Sequence, residues 1–240
     1  MEIYAPGFLA HKYFSGNGVP QDYVEAYRWF SRAVELQGKN ATDALFWLGY
    51  MQENGYGVEV NYQKAIYYYK QVADGRKPGI SKTLDSVAMI PDCMFRLGYL
   101  YQHGIGVNVD YTLATHYYEN AMQYDHASAI FNYGCMVFDG QGCTVSQSEA
   151  LRLWYKAANV ATYDDEPVVS GIIQAMFNIG VCKEMGYGCL VDYDEALMWY
   201  KKAMGYGHER AESAIENLNK KILESQKHSS FISRLKRLFS

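Results

Sequence analysis

Prolines are scarce in this chain, five among 240 residues. So few helix breakers leave room for uninterrupted helices. No apolar run reaches about 18 residues, so no segment reads as a transmembrane helix. The start, MEIYAPGFLA, lacks the basic residues and apolar stretch of a secretory signal, and the expected location is the cytoplasm. The five cysteines are odd in number and contain no CxxC pair, which points to a reducing compartment. A basic excess is missing too: 22 Lys and Arg face 26 Asp and Glu, for a net charge of −4. That balance excludes an electrostatic nucleic-acid binder, so no nucleic-acid partner is expected.

What is present in quantity is aromatic. There are 23 tyrosines, and 49% of the residues are hydrophobic, enough for a continuous core. A Gly-x-Gly element recurs five times, at Gly16, Gly55, Gly104, Gly140 and Gly186. Ten residues after each first glycine stands an alanine: Ala26, Ala65, Ala114, Ala150 and Ala196. An apolar pair follows it, Trp29/Phe30, Tyr68/Tyr69, Tyr117/Tyr118, Leu153/Trp154 and Trp199/Tyr200. Six residues before each first glycine is a small residue, Ala10, Gly49, Gly98, Gly134 or Gly180. Three before that lies a stripe of Phe46, Phe95, Phe131 and Phe177, with Gly7 in the first copy. Offsets of three, four and seven are helical.

Each copy therefore reads as a helix A, a tight glycine turn and a helix B. Helix B opens on an N-cap: Asp22, Asn61, Asp110, Ser146 or Asp192. In three copies a glutamate follows three residues later (Glu25, Glu149, Glu195), the spacing of a capping box. The aromatic pair is expected to fill the groove between neighbouring hairpins. First glycines are separated by 39, 49, 36 and 46 residues, so all length variation falls between hairpins. Two insertions result, at about 74–90 and 160–173.

These residues resemble the Sel-one-like repeat family, a relative of the tetratricopeptide repeats. The third copy shows the pattern as Leu97-Gly98, Tyr101, Gly104, Gly106, Val107, Asp110, Ala114, Tyr117-Tyr118 and Ala121. The fifth shows it as Gly180, Gly186, Gly188, Asp192, Ala196, Trp199-Tyr200, Lys202 and Ala203. The fourth departs most, with Cys143 for valine and Leu153 for tryptophan. The resemblance implies an all-α fold, a right-handed α-solenoid (superhelix) of helix-turn-helix hairpins. It covers residues 1–223, five repeats and a terminal capping helix, followed by a basic amphipathic tail at 224–240. It also implies an interaction scaffold or adaptor in signalling or degradation complexes, with a protein or peptide partner on a concave face. The alternative is a small-molecule-binding or hydrolytic enzyme of the cysteine-rich, β-lactamase-like branch of the family. That branch is disulfide-stapled through most repeats; here only repeats four and five offer such pairs, Cys135–Cys143 and Cys182–Cys189.

Enzyme chemistry is otherwise thin. The glycines follow a helix rather than a strand, so they read as turns and not as a phosphate cradle. The six histidines lack metal-ligand spacing and are expected at the surface or at helix ends. Ser233 to Lys236 is a lone Ser-x-x-Lys without companion motifs. No catalytic residue, metal or cofactor is expected. Cys93 sits at an alanine position and Cys143 and Cys189 at the valine position, and the cysteines are expected to pack as small apolar residues.

Similarity to tetratricopeptide repeats places helix A on the concave face. The groove positions are one, four and five residues beyond the small residue of each helix A. From these the expected partner-binding residues are Tyr50, Glu53, Tyr99, Gln102, His103 and Phe138, a mix of aromatic and polar groups suited to a peptide. The insertions, with Arg76, Lys77 and Lys82 in one and Asp164, Asp165 and Glu166 in the other, are a second candidate surface. The tail, with Phe231, Ile232, Leu235, Leu238 and Phe239 among Arg234, Lys236 and Arg237, is a third. It reads as a cap on the array or as a contact with a membrane surface.

Overall fold

The computed structural model describes residues 6–37, 42–74, 84–160 and 170–238, with the side chains of 37, 84–88 and 228–238 excepted. Among the described residues the regular elements are all helices. They are α1 (Pro6–Ser15), α2 (Tyr23–Gln37), α3 (Thr42–Asn54), α4 (Tyr62–Ala73), α5 (Leu84–His103) and α6 (Tyr111–Met122), then α7 (Ala127–Asp139), α8 (Gln147–Ala158), α9 (Ser170–Met185), α10 (Tyr193–Gly205) and α11 (Ala211–Leu238). Odd-numbered helices through α9 are the A helices and even-numbered ones are the B helices. The chain divides into two units, Met1–His126 with three hairpins and Ala127–Ser240 with two hairpins and α11. Among the described residues no helix is long and apolar enough to cross a membrane.

The expected caps are in place. Side chains of Asp22, Asn61, Asp110, Ser146 and Asp192 each accept the amide three residues on. The second half of the capping box does not form. The amides of these cap residues already donate to helix A: Asp22 to the Tyr13 carbonyl, Asp192 to the Lys183 carbonyl. Glu25 and Glu149 turn instead to Arg28 and Arg152, and Glu195 to Lys183.

The turn glycines have left-handed backbone, and the second one at Gly57, Gly106 and Gly188 also has no room for a side chain. At Gly106 (φ 72°) a Cβ would lie 2.2 Å from the Cβ of Tyr62, the first residue of the preceding helix B. The turn is thus both the bend of one hairpin and its contact with the hairpin before.

Within a hairpin, the small residue of helix A seats the second residue of the helix B pair. A Cβ on Gly49, Gly98 or Gly180 would come within 2.6 Å of the ring of Tyr69, Tyr118 or Tyr200. This corrects the expectation that both members of the pair fill grooves between hairpins. The second one is buried inside its own hairpin, because only a bare glycine backbone allows the ring so close.

The stripe residues Phe46 and Phe177 are buried, while Phe95 and Phe131 are half-buried. His126 and His208 stack on two of them, on Phe95 at 4.9 Å and on Phe177 at 4.1 Å between ring centroids. His208 lies at a helix end, one of the two places expected for the histidines, and is buried there because a tight turn after α10 folds it back over the phenylalanine.

Both A helices that follow the expected insertions begin within them. Helix α5 starts at 84 and α9 at 170, inside the expected insertion bounds. The charged residues named in them lie outside the described residues. Helix α11 starts three residues later than the expected sixth helix A and runs past 224 to Leu238. The apolar and basic tail side chains likewise lie outside the described residues.

Candidate functional site

Two registers of contact build the face carried by the A helices. The first lies within each hairpin, at the position four residues beyond the small residue. In three hairpins that position is an acceptor, and the buried helix B tyrosine donates its hydroxyl to it. Tyr69 bonds Glu53 at 2.6 Å, Tyr118 bonds Gln102 at 2.9 Å and Tyr200 bonds Glu184 at 2.9 Å. A hydroxyl taken out of water needs such a partner. Where the second residue of the helix B pair is not a tyrosine, the acceptor vanishes as well. The first hairpin pairs Phe30 with Phe14 in one apolar cluster. The fourth pairs Trp154 with Phe138 at 5.5 Å, and the indole N–H donates instead to the Phe131 carbonyl at 3.3 Å.

The second register lies between hairpins. Successive A helices pack on each other, α3 on α5 and α7 on α9. The residue two before the small residue of the later helix reaches the acceptor position of the earlier one. Trp47 covers Phe14 at 4.7 Å. Arg96 reaches Glu53 at 3.0 Å and lies over the Tyr50 ring at 4.8 Å. The same acceptor position at the end of the array, Glu184, takes Lys221 of α11 at 3.5 Å. Between α7 and α9 the covering residue is Asn178, and it is short. Here a cavity of about 230 Å³ opens, lined by Cys135, Phe138, Asp139, Trp154, Asn178, Val181, Cys182 and Tyr187.

The electrostatics of the two slots differ accordingly. Glu53 and Arg96 keep only 16% and 27% of their side chains exposed, so each needs the other. Burial works against the Arg96 charge, but Tyr69 and Glu53 outweigh it and raise its pKa. Burial, reinforced by Glu53, likewise pushes the Tyr69 hydroxyl up. Around the cavity, burial pushes the thiols of Cys135 and Cys182 up to about 12. Neither is a thiolate at neutral pH, so neither is primed as a nucleophile. All five cysteines are free thiols, Cys135 and Cys143, Cys182 and Cys189 included. Among the described residues no group of three or more His, Cys, Asp or Glu side chains is arranged to hold a metal.

The six expected binding residues fall into three classes. Tyr99 and His103 are exposed and face each other at 4.3 Å. Tyr50 and Phe138 are half-buried, Tyr50 under Arg96 and Phe138 in the cavity wall. Glu53 and Gln102 are engaged by the helix B tyrosines, so their first role is to hold the hairpin. Sequence reasoning missed Arg96, Asn178, Trp154 and Tyr187. The signal for the first two was present, since both stand two residues before a repeat glycine. Their meaning depends on a neighbour 43 residues away in one case and 40 in the other.

Comparison with known proteins agrees with this architecture. A family model described as Sel1 repeat matches residues 8–37, 42–75, 91–121, 127–159 and 173–203. The crystal structure of a Sel1 repeat protein from Oxalobacter formigenes is similar with a TM-score of 0.71 at 23% identity, covering 88% of this chain and 73% of that one. A protective antigen of uropathogenic Escherichia coli strains, displaying an SLR fold, is similar with a TM-score of 0.73 at 22% identity. That match covers 91% of this chain but 41% of the antigen, so the chain spans less than half of its length. At these identities the likeness establishes the fold, a helical solenoid, while the five family-model matches cover most of the chain. Proteins of this family are generally interaction scaffolds. With five registered copies matched, the chain belongs to the Sel1 repeat family.

Proposed function

We propose that this protein is an interaction scaffold that takes a segment of a partner protein along the face formed by its A helices. One observation carries the reading. The cavity is lined by Cys135, Phe138, Asp139 and Val181, all groove positions picked from the repeat register, on two successive A helices. Tyr99 and His103 add exposed aromatic and polar surface at the corresponding positions of α5. Tyr50, Glu53 and Gln102 belong to the same face, with Glu53 and Gln102 acting as positioning residues. Aromatic anchors held on rigid helices lose little entropy on binding, which suits a peptide groove. Helix α11 serves as a cap: Ala211 and Leu218 are buried and Lys221 bonds Glu184. The hydrolytic alternative gains nothing from the cavity thiols, whose raised pKa values disfavour the reactive form.

The test is affinity capture with the intact chain, identification of the bound protein, and binding of that purified protein to variants. Tyr99→Ala and Phe138→Ala should weaken it at least tenfold. Leu190→Ala, at an exposed loop position away from the A helices, should leave it unchanged. Equal binding by all variants would place the partner elsewhere.

A further inference from the structure

The slot between successive A helices is built the same way in each unit, and its contents differ. In the first unit the α3–α5 slot holds a guanidinium that the protein supplies itself, while in the α1–α3 slot Trp47 covers Phe14. Arg96 lies over an aromatic ring, Tyr50, and against a carboxylate, Glu53. In the second unit the corresponding covering residue is Asn178, shorter than arginine by more than two methylenes' reach, and the slot is a cavity of about 230 Å³. Its wall keeps both kinds of group that hold Arg96. Phe138 and Tyr187 stand edge to face at 5.6 Å, and Phe138 meets Trp154 at 5.5 Å. Asp139, one residue on from the Glu53 register, supplies an exposed carboxylate. Among the described residues the lining includes no Lys, Arg or His. Asn178 adds an amide oxygen able to accept an N–H.

We propose that this cavity is an anchor site for an arginine side chain of the partner, which lays its guanidinium where Arg96 lies in the first unit. A planar guanidinium stacks on aromatic faces and donates in a fork to a carboxylate, and both surfaces are offered here. Its hydrocarbon stem lies along Val181 and the two protonated thiols. The proposal rests on the A-helix face as the partner surface, but its test does not need a partner.

The probe is N-acetyl-arginine methylamide, titrated into the intact protein and followed by the NMR shift of the Trp154 indole N–H. The neutral citrulline analogue is the control, since it keeps the shape and loses the charge. Arginine should bind at least tenfold more tightly than citrulline. Asp139→Asn, at an exposed position, should weaken arginine at least threefold. Asn178→Arg should abolish the shift by placing the protein's own guanidinium in the slot, with helical content checked by circular dichroism. Equal binding of the two probes, an unchanged affinity in Asp139→Asn, or no shift with either probe would overturn the arginine site. None of these results touches the capture experiment, so the wider reading fails only if Tyr99→Ala and Phe138→Ala leave partner binding intact.

Discussion

The α3–α5 slot and the α7–α9 slot are two solutions to one packing problem. In the first, a carboxylate, a tyrosine hydroxyl and an arginine satisfy one another and fill the space. In the second, tryptophan and phenylalanine replace the tyrosine and the carboxylate, asparagine replaces the arginine, and space is left. The polar slot is self-contained and stabilises the array. The apolar slot gives up that network and gains a recess open to a ligand. A repeat protein diversifies in this way because each hairpin contacts only its neighbours, so one slot changes without disturbing the others.

The comparison breaks most readily at Glu53. Glu53→Ala leaves Arg96 half-buried without its carboxylate and should cost about 3 kcal/mol. Thermal melting should show the loss as a Tm lower by roughly 6–12 °C. A smaller loss would mean that water already serves the guanidinium. Next comes a transplant. Phe138→Glu alone puts a carboxylate beside an indole whose N–H is spent on a carbonyl, at about 2 kcal/mol. Adding Trp154→Tyr restores the hydroxyl donor, and urea unfolding of the double variant should recover at least about 1 kcal/mol of it. No recovery would show that the two registers are not equivalent.

Tyr200→Phe removes a hydroxyl from Glu184, which keeps Lys221, so about 1 kcal/mol should be lost. The smallest effect is a pH dependence at His208. Burial, aided by the nearby Arg210 charge, lowers the His208 pKa from its usual 6.5. Its neutral form is the one that stacks on Phe177 and bonds Gln174. As pH falls below 6.5 the unfolded chain takes up the proton first, so this stability, present above 6.5, declines on acidification. His208→Gln should flatten that part of the stability–pH curve in chemical denaturation at pH 5–7. An unchanged slope would assign it to other groups.

Much of this was legible in one dimension. The repeat glycines mark backbone that bends to positive φ, and the constant ten-residue spacing from turn to alanine fixes the hairpin register. The N-caps follow from side chains that bond their own helix. Such interactions are local, so residue type and spacing carry them. The capping glutamates misled because their target amides were already taken by helix A across the turn. The burial of His208 at its helix end was not legible, because it comes from a stack on Phe177, 31 residues earlier.

The sequence by itself therefore determined the repeat and the hairpin. Tertiary structure decided which groove residues remain available. Glu53 and Gln102 match the groove pattern as well as Phe138 does, yet a tyrosine sixteen residues on engages each of them. Whether a slot is filled depends on how far a side chain on the next helix reaches. Arg96 spans the gap and Asn178 does not, and that difference becomes a cavity only when stacking brings the two helices together.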